Sequence, residues 1–338
     1  MTNYRSQQRF YRILVVVALA LLVIMIAAAL CVGRYFLPLT AVWQSLVHVA
    51  QPINPANNTI VWQLRLPRIL GACLIGASLS LSGGAYQSIF QNPLVSPDLL
   101  GVTTGAAVGA ASAIIWHQNT WLVMICAFVT GLLTVLITVS VPRFIHSHSN
   151  LTLVLAGVVV GGFMTAILGL LKYIADPESQ LQDIVYWQLG SLEKLNYHTL
   201  AMMLPIFVVA GGLLLALRFR LNVLSLSDME AQTTGVNVKW ERLLVILCAT
   251  LLTAAAVAIS GTIGWIGLIM PHIAKLLTKQ NNQRALPLMA ILGAMFLLLV
   301  DTLARTISAG EIPIGILTGL IGTPFFIGIL AKQRGHLT

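Results

Sequence analysis

Few side chains in this sequence are placed to do chemistry, and their spacing limits what that chemistry would be. Asp301 and Arg305 stand four positions apart, which puts them on one face of a helix and lets them pair. An ion pair is the structural reading and a proton or ion relay the functional one, but no ladder of carboxylates accompanies Asp301. His272 follows Pro271 near an expected helix break, a lone histidine suited to a structural role. His146 and His148 share a polar loop without the Cys or carboxylate partners of a metal site. Lys172 lies near the end of an apolar run, from which its ammonium can reach water. Cys31, Cys73, Cys126 and Cys248 form no C-x-x-C pair, so each is expected as a small buried hydrophobe. The sequence contains no G-x-x-x-x-G-K-[ST] phosphate loop, no G-x-S-x-G elbow and no H-E-x-x-H. No catalytic set, metal or cofactor is therefore expected in this chain.

The elements that would position these residues belong in lipid. Of 338 residues, 58% are hydrophobic and 9% are charged, against about 25% charged in soluble domains. Mean hydropathy is +0.90. This composition excludes a disordered chain, a collagen-like fibre and an ordinary cytosolic enzyme. A transmembrane helix needs about 20 apolar residues. Runs free of Asp, Glu, Lys and Arg predict spans in 13–33, 69–97, 144–171, 195–217, 285–300 and 312–331. The run 99–142 is long enough for two, divided by the polar turn Trp116–Trp121 between interfacial tryptophans. The run 243–274 also divides in two, with the second span starting near Gly264. The expectation is an all-α polytopic membrane protein of about ten transmembrane helices, one transmembrane domain over 1–338. The run 13–33 is too long for a signal-peptide core and is read as retained.

An even number of spans places both termini on one side. With the N-terminus inside, Arg34, Arg65, Arg68, Lys172, Lys194 and Arg305 fall at or near the outer side, and the other thirteen of the nineteen basic residues fall inside. That bias supports N-in, C-in, with a cytoplasmic tail over 1–12. The net charge of +9 is then a topology signal, not a nucleic-acid surface. Gly101, Gly105 and Gly109, and Gly157 and Gly161, recur at four-residue spacing, which lets helix backbones approach closely in lipid. Ser82-Gly83 leading to Pro93 and Ser260-Gly261 leading to Pro271 have one spacing, and their opposite expected directions suggest an inverted repeat.

The longest hydrophilic cytoplasmic stretch is 218–242. Within it, Ser227-Asp228-Met229-Glu230 fits a capping box, and Gly235 supplies a stop. A helix of about two turns is predicted over Asp228–Gly235. A helix so short is unstable alone and must lie on the bundle or on a cytoplasmic partner; the residues favour neither.

Several motifs appear in an order that resembles one permease family. They are LRLPR (Leu64–Arg68), SGGAYQ (Ser82–Gln87), QNPLVSPDLLG (Gln91–Gly101), GAAVGA (Gly105–Ala110), LAG (Leu155–Gly157) and WQLGSL (Trp187–Leu192). SGTIGWIGLIMPHIAKLL (Ser260–Leu277), DTLAR (Asp301–Arg305) and IPIGILTGLIGTPFF (Ile312–Phe326) follow. The chain is similar, over about 61–330, to the FecCD/BtuC-like permeases of type II ABC importers, which carry ferric siderophores, haem, vitamin B12 and related metal-containing substrates. Trp265 stands where relatives usually carry Phe. Within the family the sequence most resembles molybdate-type permeases.

The resemblance implies a multi-pass subunit of the bacterial inner membrane with the BtuC-like permease fold. Two copies would form a homodimer around a central path. Two separate ATPase subunits would hold the ATP and magnesium, and a periplasmic binding protein would deliver the substrate. Arg65, Arg68 and Arg305 match outward-facing arginines that meet carboxylates of the binding protein. Ser227, Asp228, Met229, Glu230, Ala231, Gln232, Thr233, Thr234 and Gly235 match the coupling helix that docks on the ATPase. Ser149, Asn150 and Leu151 match the region of the cytoplasmic gate. The substrate expected from the resemblance is molybdate or tungstate, with ferric siderophore, haem or cobalamin as alternatives. A proton-coupled secondary transporter built on Asp301 is the rival class.

Overall fold

The computed structural model describes residues 2–49, 53–145, 150–226, 228–308 and 310–334. Every regular element among them is helical. In chain order the α-helices are α1 (Thr2–Cys31), α2 (Leu39–Val47), α3 (Pro55–Thr59), α4 (Leu66–Ile89), α5 (Val102–Ile115), α6 (Thr120–Phe144), α7 (Asn150–Ile174) and α8 (Gln180–Leu189). They continue as α9 (Tyr197–Ala216), α10 (Arg218–Leu224), α11 (Asp228–Thr233), α12 (Val238–Ser260), α13 (Ile266–Leu277), α14 (Asn282–Ile307) and α15 (Ile314–Arg334). A π-helical turn, Ile60–Arg65, joins α3 to α4, and a 3₁₀ turn, Pro97–Leu100, precedes α5.

Seven helical stretches among the described residues are long and apolar enough to cross a membrane: Gln7–Cys31, Pro55–Ile89, Thr120–Phe144, Leu151–Ile174, Tyr197–Ala216, Val238–Ser260 and Asn282–Ile307. Val102–Ile115, Ile266–Leu277 and Ile314–Gly328 are shorter apolar helices. Each expected apolar run thus overlaps a helix, and the chain breaks within both runs expected to divide, but on one side of each break the helix, Val102–Ile115 or Ile266–Leu277, is shorter than the full span expected. Between α5 and α6, His117 takes φ +50°, and Asn119 caps α6 by accepting from the Leu122 amide at 3.0 Å. Between α12 and α13, Gly261 and Trp265 take φ +69° and +72°.

The second span differs from its expected bounds. Its helix starts well before residue 69 and ends at Ile89, because Arg65 and Arg68, which bounded the charge-free run, lie inside the continuous stretch Pro55–Ile89 with their charges satisfied by other helices. The two Ser-Gly pairs also differ. Ser82 and Gly83 lie mid-helix in α4, whereas Ser260 and Gly261 close α12. Pro93 lies in a turn, and Pro271 is inside α13. The shared spacing therefore marks no shared local structure.

Helix α4 is the centre of the bundle, buried along nearly all its length against α12, α13 and α14. Its glycines make this possible. A Cβ on Gly76 would stand 2.2 Å from the Gly293 carbonyl, and one on Gly83 would stand 1.8 Å from the Gly267 carbonyl. In these places two backbones touch, and a methyl group has no room. Gly105 and Gly109 press onto Thr134, Thr130 and Cys126 of α6, and Gly157 onto the Leu99 carbonyl, so these repeats serve helix packing. Ser82 and Tyr86 of α4 bond to Thr253 and Thr250 of α12 at 2.6 and 2.7 Å, keeping buried hydroxyls satisfied.

Helix α14 fixes the two ends. Its start lies beside Tyr11 of α1 and Ser88 of α4, and its finish beside Ala29 of α1 and Arg68 of α4. It therefore runs parallel to α1 and antiparallel to α4. The end where α1 and α14 finish is called the upper end below; α10, α11 and the start of α14 lie at the lower end.

Candidate functional site

At the upper end, four charged side chains from three segments meet in the interior. Arg68 donates from Nε to Asp301 Oδ1 at 2.7 Å, and its Nη1 lies 2.8 Å from Glu311 Oε2. Arg305 Nε lies 3.4 Å from Asp301 Oδ2, one helical turn away. Asp301 is fully buried and both arginines are below one-tenth exposed. Two cations and two carboxylates thus balance within the cluster, as buried charge requires. Asp301 does pair with Arg305, but Arg68 is its closer partner. The sequence spacing revealed only the local half of this arrangement.

Arg305 of this cluster and the nearby Arg65 hold α1. Arg305 Nη2 donates to the Ala29 carbonyl at 3.0 Å. Arg65, which ends the π-helical turn, donates to the carbonyls of Leu30 and Tyr35. The last carbonyls of a helix lack intrahelical partners and carry the negative end of its dipole. Two guanidinium groups satisfy them here. All three arginines expected to face outward are accordingly turned inward in this structure, while Arg34 and Lys194 are exposed.

Three motifs distant in sequence meet beside this cluster. Ser191 donates its amide to the Ser260 carbonyl at 2.8 Å, Ile314 donates to the Gly190 carbonyl at 3.0 Å, and Thr262 donates its hydroxyl to the Gln188 carbonyl. A Cβ on Gly261 would stand 2.1 Å from the Trp187 carbonyl. The ends of α8 and α12 and the start of α15 are thereby knotted through backbone. A cavity of about 640 Å³ opens next to the knot, lined by Trp121, Asp183, Trp187, Ser191, Lys194 and Ser260, among others. Trp265, at its left-handed φ, is accommodated because Gly322 presents no side chain; a Cβ there would come within 2.8 Å of the Trp265 ring. His272 is buried and meets Phe326 edge-on at 6.2 Å. Among the described residues no group of three or more His, Cys, Asp or Glu side chains could hold a metal.

The lower end carries the expected helix in the 218–242 loop, shorter than its expected bounds. α11 covers Asp228–Thr233, and Gly235 follows at φ +76°. Ser227, the expected cap, lies outside the described residues. Ala231 is buried between α10 and α12, whereas Glu230, Thr233, Thr234 and Gly235 face outward. The helix thus rests on the bundle and presents a polar edge, so the two readings left open by the sequence are compatible. Of the expected gate residues, Leu151 is exposed in the first turn of α7, which Asn150 begins; Ser149, like His146 and His148, lies outside the described residues.

Sequence reasoning missed the link from this loop into the core. Asn282 donates its amide to Asn222 Oδ1 at 2.7 Å and its side-chain NH₂ to the Leu221 carbonyl at 3.1 Å. Ser88 of α4 donates to Asn282 Oδ1 at 3.0 Å. Arg220 pairs with the buried Glu241 of α12. Helix α10 is therefore tied to α4, α12 and α14 at once. The available signal was a polar residue type, Asn, at the boundary of an apolar run.

Comparison with known proteins agrees with this architecture. Residues 21–332 match the FecCD transport family. The molybdate import system permease protein MolB of Haemophilus influenzae is 41% identical over 94% of this chain and 95% of its own length. The hemin transport system permease protein HmuU of Yersinia pestis is 36% identical over 94% of each. A solved inward-facing conformation of a candidate metal-chelate type ABC transporter superposes with a TM-score of 0.86 at 39% identity, over 94% of this chain and 99% of that one.

Proposed function

Because this chain belongs to the FecCD transport family, we propose that it is the membrane permease subunit of a binding-protein-dependent ABC importer for molybdate or tungstate. The observation that carries the reading is the family match along 21–332, which includes the end of α1, every later long apolar helix and α11. The chain does no covalent chemistry in this reading. A separate ATPase binds ATP and magnesium, and its closure drives the permease between inward- and outward-open states. Only a ligand with different affinity for the two states can bias them; ATP does so from one side and the loaded binding protein from the other.

The single permease domain spans the bacterial inner membrane ten times, the three shorter apolar helices adding to the seven long ones, with both termini inside. The lower end then faces the cytoplasm. α11 and the residues to Gly235 form the coupling element, and the exposed edge of Glu230, Thr233 and Thr234 is the part an ATPase reaches. Residues 149–151 form the gate at the entrance to α7. Two copies enclose the path, and support for this comes from α15, whose Ile316, Leu320 and Ile327 are left uncovered by the chain's own helices. At the upper end Arg65, Arg68 and Arg305 serve the binding protein; its carboxylates would compete there with Asp301, Glu311 and the carbonyls of α1.

The molybdate reading rests on the relative that imports it and covers nearly the whole chain. A haem or other iron-chelate cargo is the second reading, favoured by the hemin permease of similar coverage. The test is uptake in a strain lacking this gene, with and without its restoration, for labelled molybdate, a ferric siderophore, haem and cobalamin. Rescue of molybdate alone, dependent on an intact partner ATPase, is expected. Rescue of an iron complex or cobalamin instead would reassign the cargo. Uptake without the ATPase, abolished by a protonophore, would replace the importer reading with a proton-coupled one.

A further inference from the structure

Helix α2, at the upper end, presents three different edges around its nine residues. Val42 and Ser45 are buried against the chain, with Ala41 and Leu46 partly covered. Leu39, Trp43 and Val47, each four positions apart, form an apolar stripe that points away from it, exposed at 66%, 68% and 54%. Thr40 and Gln44, one step further round the helix at about 100° per residue, are exposed and polar. No residue of α2 is charged. Single exposed apolar side chains are ordinary on a protein surface, but three in register are not scattered. The exposed Tyr35 and Phe36 precede them in the link from α1.

Continuity with α1 identifies what covers this stripe. α1 is left uncovered by the bundle along most of its apolar length, with Val23, Ile24 and Val32 exposed, as a lipid-facing helix of a multi-pass protein must be. Its charge-free run ends at Arg34. The link to α2 then folds back onto the end of α1. The Leu37 amide donates to the Cys31 carbonyl at 3.0 Å, and Arg65 donates to the carbonyls of Leu30 and Tyr35. α2 therefore starts at the level where α1 leaves the hydrocarbon, the level at which Trp and Tyr are favoured.

We infer that α2 is an interfacial helix, lying in the headgroup region of the leaflet at the upper end. Leu39, Trp43 and Val47 are turned toward the acyl chains, and Thr40 and Gln44 toward water. The inference rests on the multi-pass membrane reading but not on the importer assignment. Its consequence runs through Trp62, whose indole donates to the Ser45 carbonyl at 2.9 Å. Trp62 belongs to the π-helical turn that ends in Arg65 and leads into α4. The bilayer surface thereby sets, through α2, the height of the turn that grips α1 and begins α4.

Nitroxide labels read the seating directly. The full-length permease, with Cys31, Cys73, Cys126 and Cys248 replaced by Ala, would carry one labelled cysteine at a time: Leu39→Cys, Trp43→Cys or Val47→Cys, and Thr40→Cys or Gln44→Cys. Val23→Cys in α1 is the lipid reference. Each is reconstituted into nanodiscs of dioleoylphosphatidylcholine and dioleoylphosphatidylglycerol. Power-saturation EPR compares collisions with oxygen, enriched among acyl chains, and with a water-soluble nickel chelate. The oxygen-to-chelate ratio at 39, 43 and 47 is expected to exceed that at 40 and 44 by at least about threefold. Equal ratios on the two edges, with Val23 in lipid, would overturn the seating of α2. A label at Val23 that is also open to the chelate would overturn the membrane reading beneath it. Spin–spin broadening at 43 that disappears on dilution with unlabelled protein would assign the stripe to a second copy and overturn the lipid. A second measurement keeps the native cysteines. Trp43→Phe should reduce the fraction of tryptophan fluorescence quenched by lipids brominated near the headgroup, and an undiminished fraction would overturn the inference.

Discussion

The Nε atom of Arg68 lies 2.7 Å from Oδ1 of Asp301, 233 positions later in the chain, and this pairing joins α4 to α14 at the upper end. Glu311 supplies the second carboxylate and Arg305 the second cation. The cluster is neutral as a whole, and that balance explains how four ionised groups can be buried together. It also bears on the proton-relay rival, because Asp301 is held by both arginines and, among the described residues, no chain of carboxylates leads away from it.

Removing one member should cost more than removing a matched pair. Asp301→Leu leaves two buried cations facing one carboxylate, with an expected loss of about 3–5 kcal/mol. The double variant Arg68→Met with Asp301→Leu should lose less than Asp301→Leu alone, because the orphaned cation leaves with its partner. Thermal unfolding of the purified permease in detergent reads both. Additive losses in the double variant would show that the two residues act independently.

The glycine contacts of α4 predict a sharp position dependence. Gly83→Ala places a methyl group 1.8 Å from the Gly267 carbonyl, and Gly76→Ala places one 2.2 Å from that of Gly293. Backbone, unlike a flexible side chain, cannot rotate away, so each should cost at least about 1–3 kcal/mol by overpacking. Gly162→Ala, which meets nothing within 4 Å, should leave the melting temperature unchanged or slightly raised, since alanine favours helix. A neutral Gly83→Ala would mean that α4 and α13 are not in backbone contact.

Much of this was legible in the sequence because hydropathy reports local burial in lipid. The run 243–274 was too long for one helix, and its glycines marked the division that Gly261 and Trp265 make. The helix near Asp228 was legible from a capping pattern within one loop. What escaped was non-local. A charge-free criterion excluded Arg65 and Arg68 from their helix because their partners lie in α1 and α14 and beyond it. The short helices α2, α8 and α10 carry no apolar run long enough to cross a membrane. The role of Asn282 depends on Asn222, sixty positions away, and no spacing rule reaches that far.

The grip on α1 predicts a local, not global, effect of one arginine. Arg65→Gln removes the guanidinium that satisfies the carbonyls of Leu30 and Tyr35 but leaves Asp301 paired with Arg68 and Arg305. Amide exchange at 26–37 should accelerate by about tenfold, matching roughly 1–2 kcal/mol of lost local protection. Exchange in α12 and α13 should not change. Acceleration throughout the bundle would place Arg65 in the global core instead.

The link through Asn222 and Asn282 predicts a separation of ATP hydrolysis from transport. If α11 is the coupling element proposed above, force applied there would reach α4 and α14 through α10, whose Asn222 accepts from the Asn282 amide and whose Leu221 carbonyl accepts from the Asn282 side chain. Asn282→Ala removes that side-chain donor and also the Oδ1 that accepts from Ser88. It leaves α11 and its exposed edge untouched, so the ATPase should still bind and hydrolyse ATP. The coupling between the sites should weaken, with uptake per ATP falling by about tenfold, within the usual range of coupling free energies of 1–3 kcal/mol. The measurement is paired ATPase and uptake rates of the reconstituted complex at saturating loaded binding protein. Asn222→Ala removes the acceptor of the Asn282 amide and should weaken the same junction through a different bond, so the two variants together should be at least as impaired as either alone. Parallel loss of hydrolysis and uptake would place Asn282 in assembly of the complex, and unchanged uptake would mean that the force travels by another route, the Arg220–Glu241 pair to α12 being the nearest.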